Sequence, residues 1–484
     1  MFEAKLLIGG QAVAARSGAT YERHEPITGR IATRAAAAAP RDAIEAANAA
    51  AAAFPAWSGA APKSRAELLN AAADILHGRS AEFRAVMAEE IGASEAWSTF
   101  NCELGSEILR DAATMTDRLG ETEFSTDKPG VKDFGIRQPA GVVLGIAPWN
   151  APVVLAARAI AVPLACGNTT VLKASEFCPK THSLVAQSLI DAGLPQGAVN
   201  LITNAPEASH DVVEALVAHD AVRRVNFTGS TRIGRTVAEI CARHLKPCVL
   251  ELSGKAPLLV LADADLEEAV KAAAYGAFFN QGQVCISTER IVVEQTVADT
   301  FLDMLAARAA LMKAGDPRTG RHALGPMISR EAVVRVRGLV DDALSKGARL
   351  IVGGGNGDQT TMQPTVLDRV TPAMRIYYEE SFGPVAAVIR VENIEEAISV
   401  ANDTEYGLAA SVFSRDTARA MAVARRIESG ICHINAPTIH DEPQMPFGGM
   451  KASGYGRFGG EAGVREFTEL RWLSVHETAY DYPI

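Results

Sequence analysis

The run GVVLGIAPWNAPVVLAA, residues 141–157, decides how the rest of the chain is read. It carries no charge and nearly reaches the length of a membrane span. Pro148, Asn150 and Pro152 interrupt it, and in lipid they would leave backbone groups unsatisfied. A buried strand, a loop and the start of a helix accommodate all three. On that reading the run opens a soluble core and no membrane segment is expected.

Outward from this run, strand-like and helical stretches alternate. The apolar runs TTVLK (169–173), AVNLIT (198–203), RRVNFTG (223–229) and PLLVLA (257–262) are separated by helical stretches such as THSLVAQSLIDAG (181–193) and RTVAEICARHL (235–245). This pattern predicts a parallel sheet covered by helices on both faces. A second α/β series follows, with helices over 265–279 and 297–314 and strands over 289–295, 386–392 and 410–416, so two lobes with a cleft between them are expected. Upstream, 41–53 and 63–92 read as an amphipathic helical layer. The segments 131–140 and 466–475 are strand-like but have no obvious place in either sheet; unpaired edges are a liability, and these are expected to join another subunit.

The chain has 484 residues, which at about 100 to 200 per domain predicts two to four domains. Forty-seven basic residues stand against 57 acidic ones, a net charge of −10 with no basic patch. Such a surface disfavours nucleic acid and anionic membranes and points to small-molecule chemistry. Seven cysteines, an odd number and widely spread, form neither a metal knuckle nor a redox motif. No metal is expected, and a reducing cytoplasm fits best. The start, MFEAKLLIGGQAVAA, mimics a signal peptide, but Glu3 offsets Lys5 and Gly9 and Gly10 interrupt the apolar run.

Five motifs carry chemistry. In VNFTGSTRIGRTVAE (225–239) a strand meets Gly229, Ser230 and Gly234 and then a helix. Backbone N–H groups there suit a phosphate, although a plainly capped turn has the same composition and the G-x-G-x-x-G spacing is absent. Lys173 and Glu176 close the next strand; they suit ribose hydroxyls or are a solvated loop pair. Glu251 sits between Leu250 and Leu252, where desolvation would move it toward the range of a general base unless backbone N–H groups satisfy it. Asn150 is either an oxyanion donor or turn chemistry beside proline. Cys285, in NQGQVCIST (280–288), is either an inert apolar thiol or a nucleophile.

Taken in order, PWN, KASE, FTGSTRIG, ELSGK, NQGQVC, EESFGPV and PFGGMKASGYGR resemble the motifs of NAD(P)-dependent aldehyde dehydrogenases across nearly the whole chain. The resemblance implies an α/β fold with a Rossmann-type cofactor domain (1–118 and 140–251), an α/β catalytic domain (252–450) and a small β oligomerisation flap (119–139 and 451–484), in a homodimer or homotetramer. It implies that Cys285 attacks the aldehyde as a thiolate, that the Asn150 amide holds the oxyanion, and that Glu251 activates the water that hydrolyses the thioester. Lys173 and Glu176 would hold the adenosine ribose, Gly229 and Ser230 the pyrophosphate, and Glu380 with Phe382 the nicotinamide end. Ile146, Pro148, Trp149, Ser175, Ile233 and Leu252 would complete the cofactor site. NAD is the expected cofactor because Glu176 repels a 2′-phosphate, with NADP second through Lys173.

Two positions depart from the family pattern: Ser253 stands where glycine is usual, and KASE replaces KPSE. Within the family the chain looks closest to dehydrogenases of aromatic aldehydes, of the salicylaldehyde, vanillin and benzaldehyde type. The substrate tunnel is then expected to include Trp97, Ala151, Leu155, Arg158, Phe279, Val284, Ile286 and Phe447. Arg158 either contacts a ring hydroxyl or carboxylate or closes a buried ion pair. The alternatives are an aliphatic aldehyde or semialdehyde dehydrogenase, an acylating relative releasing to coenzyme A, and a catalytically silent member of the fold.

Overall fold

Strand Val142–Ile146 is buried along its whole length and lies inside an eight-stranded sheet. The parallel strands run, across the sheet, Cys248–Glu251, Val222–Thr228, Val142–Ile146, Thr169–Lys173 and Val199–Ile202. The first of these in chain order is central; the next two extend the sheet on one side and the last two on the other. Strand order therefore reverses between Val142–Ile146 and Val222–Thr228, and the carboxyl ends of those strands open the crevice where open α/β sheets bind ligands. Helix Pro152–Ala165 follows directly, with Pro at its first turn and every residue buried. Proline suits that position because its φ is already helical and the missing N–H would have had no helical partner.

The computed structural model describes residues 1–354, 359–479 and 482–484. Among these a second, seven-stranded sheet has the order Arg349–Val352, Thr365–Asp368, Val385–Val391, Thr288–Glu294, Ala256–Val260, Ala409–Phe413 and Ile431–Ile434. Only its first pair is antiparallel. The helical layer comprises Pro40–Ser58, Pro62–Gly78, Ser80–Ile91 and Glu95–Ala113. The helical stretch read over 63–92 is two helices, broken after Gly78, whose helix propensity is poor.

The two strand-like segments without an apparent home are each other's partners, with Thr468–His476 at the edge of the small sheet they form. Val131–Pro139 and Thr468–His476 pair antiparallel over their full lengths, with Glu121–Phe124 on the far edge. Local patterning is blind to a partner this remote: Arg137 and Thr468, which share a hydrogen bond, are 331 residues apart. The same tail also supplies Gly454–Tyr455, which pairs with Cys248–Glu251 in the first sheet. No helix among the described residues is long and apolar enough to cross a membrane.

Candidate active site

The site forms where the crevice of the first sheet meets the loop that precedes strand Thr288–Glu294 of the second. Asn280, Gln281 and Gly282 all have positive φ, at 48°, 57° and 69°. Side-chain amides hold this left-handed turn. Asn280 Nδ2 donates to the Asn150 carbonyl at 3.1 Å, Gln281 Nε2 donates to Pro326 O at 3.0 Å, and Gln283 Oε1 accepts from Ile328 N at 2.9 Å. The Asn150 side-chain amide in turn donates to Gln283 O at 3.2 Å. Asn150 and the approach to Cys285 are therefore clamped to one another, although they come from different sheets.

Glu251 ends its strand opposite Thr228 and is 1% exposed. Neither carboxylate oxygen has a hydrogen-bond partner. Burial pushes this carboxyl up to about 7, against the downward pull of the neighbouring Cys285 thiol and the Arg158 charge. Burial also raises Cys285 well above the usual thiol range, and the Glu251 charge raises it further. The neighbouring carboxylate and the loss of solvent therefore favour the neutral thiol at rest, so the attacking thiolate forms as its proton is lost.

Behind these groups, Lys255 and Glu289 form a buried ion pair of 2.7 Å. Glu289 accepts from Ser381 N, Ser381 Oγ and Phe382 N at 2.7 to 3.0 Å, and Lys255 donates to Glu379 O at 2.7 Å. One ion pair consequently joins ELSGK, STER and EESFG and fixes the turn that presents Glu380 and Phe382. Burial, then the Glu289 charge, pushes Glu380 up to about 7, while the Gly254 N–H at 3.1 Å favours its ionised form.

A cavity of about 310 Å³ connects these pieces. Of the anticipated residues, Pro148, Trp149, Asn150, Gly229, Ser230, Glu251, Cys285, Glu380 and Phe382 line it. Thr228 and Arg335 also line it and were not anticipated, as does Ser253, noted only as a departure. Arg335 comes from the polar helix Arg330–Ser345 and donates to the Glu380 and Ser381 carbonyls at 3.0 and 2.7 Å. Nothing in its local sequence marks it.

Ser230 caps helix Thr231–Arg243 by accepting from Ile233 N at 3.4 Å. Gly234 is needed there because a Cβ would meet Leu252 Cδ2 at 2.4 Å, so the helix lies directly on the strand end. A turn of this shape, with helix N–H groups at the switch point and a cavity alongside, fits a dinucleotide pyrophosphate. Ser253 Oγ accepts from Thr231 N at 3.5 Å, so the serine adds a bond to the first turn and does not close the cavity.

The remaining cofactor candidates lie outside the cavity lining. Lys173 pairs with Glu176, which also accepts from Ser209 Oγ. Against the upward push of burial, Lys173 and Ser209 hold Glu176 below the ordinary carboxylate range. Ser175 N donates to His182 Nδ1 at 3.1 Å. Ile146 and Leu252 are buried, and Ile233 is exposed.

The substrate candidates gather around an aromatic cluster. Trp97, 1% exposed, donates from Nε1 to the Asn150 carbonyl at 2.8 Å and meets the Phe279 ring edge-on at 5.0 Å. Ala151, Leu155, Val284, Ile286 and Phe447 are buried in one core cluster, with Phe279 and Cys285 packed against it. Arg158 forms an ion pair with Asp441, and its guanidinium lies 4.2 Å from the centroid of the Phe447 ring.

Comparison with known proteins is consistent from end to end. The model of the aldehyde dehydrogenase family matches residues 13–473. A vanillin dehydrogenase of Pseudomonas fluorescens is 55% identical over 484 residues, covering 100% of both chains. A benzaldehyde dehydrogenase [NAD(+)] of Pseudomonas putida is 40% identical, covering 95% of this chain and 94% of that one. The crystal structure of a salicylaldehyde dehydrogenase from Pseudomonas putida G7, complexed with salicylaldehyde, superposes with a TM-score of 0.98 at 44% identity, covering 100% of both chains.

Proposed function

The chain belongs to the aldehyde dehydrogenase family, and from that premise we propose that it oxidises aromatic aldehydes of the vanillin, salicylaldehyde and benzaldehyde type to carboxylic acids, with NAD as the favoured acceptor. The observation that carries the reading is the meeting of Cys285, Glu251 and Asn150 at one cavity from separate elements of two sheets. Relatives named for aromatic aldehydes, matched over 94% and 100% of their length, support the substrate class.

The Cys285 sulfur bonds to the aldehyde carbon, and the thiol proton is lost as the bond forms. Glu251, near pH 7 in its titration and acting on that thiol, is the group suited to receive the proton. The Asn150 amide stabilises the oxyanion of the thiohemiacetal. Bound NAD supplies the hydride acceptor that converts this adduct to a thioester. Glu251 gives the thiol proton up to solvent, then takes a proton from water as hydroxide displaces sulfur, and returns that proton to sulfur as the carboxylic acid leaves, restoring the Cys285 thiol. Gly229 and Ser230 would hold the pyrophosphate, Lys173 and Glu176 the adenosine ribose, and Glu380 with Phe382 the nicotinamide end. The carboxylate of Glu176 favours NAD over NADP. We further assign 1–118 and 140–251 to cofactor binding and 252–450 to catalysis, with the flap as the oligomer contact. Seven unpaired cysteines suit a reducing cytoplasm.

The test is formation of NADH and NADPH across benzaldehyde, hydroxylated benzaldehydes, aliphatic aldehydes and semialdehydes. Benzaldehydes with NAD are expected to give the highest kcat/KM, and Cys285→Ala is expected to lose turnover while still binding NAD. Oxidation by Cys285→Ala at wild-type speed overturns the proposal.

A further inference from the structure

A second cavity, of about 300 Å³, is lined in part by Cys432, His433, His440, Asp441, Glu442 and Phe447. Arg158 links it to the reacting groups. Its guanidinium lies on Phe447, and its charge bears on both Cys285 and Glu251. Arg158 and Asp441 are an ion pair with side chains only 7% and 8% exposed.

This pairing decides which polar substituents the cavity can serve. The guanidinium is already engaged by a carboxylate and an aromatic face, so a substrate carboxylate finds no free cation there. Burial holds the His433 imidazole below its usual range, so it supplies no positive charge at neutral pH. Asp441 Oδ1, by contrast, has no hydrogen-bond partner, whereas the Glu442 carboxylate in the same lining is already engaged by His440 Nε2 at 3.0 Å and by Gln444 Nε2. The unmet demand, at Asp441 Oδ1, is for a hydrogen-bond donor, and an incoming anion would meet carboxylates whose cation and donors are already taken.

Building on the aromatic-aldehyde reading above, we propose that the Arg158–Asp441 pair is a charge filter: it admits neutral rings, favours those carrying a hydroxyl donor, and rejects aldehydes that carry a carboxylate, semialdehydes included. Asp441 is on this view a specificity-determining residue and Arg158 the cation it keeps out of reach.

Steady-state kinetics on benzaldehyde, para-hydroxybenzaldehyde and para-carboxybenzaldehyde test this. In the native protein the carboxylated substrate is expected to have a kcat/KM at least about 100-fold below that of benzaldehyde. Asp441→Asn keeps the shape but frees Arg158, and is expected to raise the carboxy-to-unsubstituted kcat/KM ratio about tenfold or more while lowering the hydroxy-to-unsubstituted ratio. Adding Arg158→Met to Asp441→Asn is expected to abolish the gain on the carboxylated ring. Native protein that turns over para-carboxybenzaldehyde as well as benzaldehyde overturns the filter, even where the variants fail to fold. So does an Asp441→Asn ratio that does not move. Absence of oxidation of every benzaldehyde is a different result, which removes the aromatic-aldehyde reading and this proposal with it.

Discussion

Glu251 shows how one desolvated side chain sets both rate and stability. Its carboxyl titrates at about 7, above the ordinary value of 4.5, chiefly through burial. In the proposed role of general base it would work ionised, so thioester hydrolysis is expected to rise with pH through about 7 and then level. Glu251→Gln should abolish that limb and slow both the first turnover of NADH, since the thiol proton loses its acceptor, and the steady state that follows, which rapid-mixing kinetics would reveal; unchanged steady-state turnover would remove Glu251 from the hydrolytic step. The same shift has a thermodynamic sign. Between about pH 4.5 and 7 the native state binds more protons than the unfolded state, so stability falls as pH rises across that window, by roughly 3 kcal/mol for this shift. Below the window both states are protonated and no cost remains. Glu251→Gln is therefore expected to raise Tm at about pH 8 and to change it little at about pH 4. A Tm gain equal at both pH values would contradict the assignment.

At the scale of the element, the turn 280–282 matters more than any one contact within it. Asn280 and Gln281 hold left-handed backbone that is costly for residues with a Cβ, and the amide bonds to Asn150, Pro326 and Gly325 keep it in place. Gly282 has no such latitude. A Cβ there would meet Gly383 O at 2.2 Å, on backbone with φ at +69°. Gly282→Ala is expected to cost at least about 2 kcal/mol and to lower Tm and turnover together, since the turn also aims Cys285. A variant with native Tm and activity would show that the turn relaxes freely. The turn itself was legible from Asn-Gln-Gly, and Cys285 and Glu251 from their motifs. The proton carried by the thiol was not, because it depends on burial that two sheets create jointly. Nor was the partner of Arg158, which lies 283 residues away at Asp441.

Across the whole molecule, the flap is the feature that a single chain leaves unfinished. Its strands satisfy one another, yet Leu470, Trp472, Val475 and Phe124 remain between 47% and 73% exposed. Apolar side chains exposed along a sheet in this way support the proposed oligomer contact. Leu470→Glu is expected to convert the assembled protein to a smaller species, read by size-exclusion chromatography with light scattering. An unchanged mass would place the interface elsewhere. The order of α/β units, the two-sheet division and the crevice were readable because each parallel strand is a short apolar run followed by a helix. The flap was readable only as two leftover segments, since antiparallel pairing between distant strands has no local signature.

Sequence alone determined the succession of strands and helices, the family, and the three residues proposed to carry the chemistry, because apolar periodicity and ordered motifs are local properties of the chain. Tertiary structure alone decided the surroundings that disfavour the Cys285 thiolate, the placement of Arg335 and Ser253 against the cavity, and the engagement of Arg158 by Asp441. Each of those depends on solvent exclusion and on charges brought together from remote positions, and neither exists until the two sheets have closed on one another.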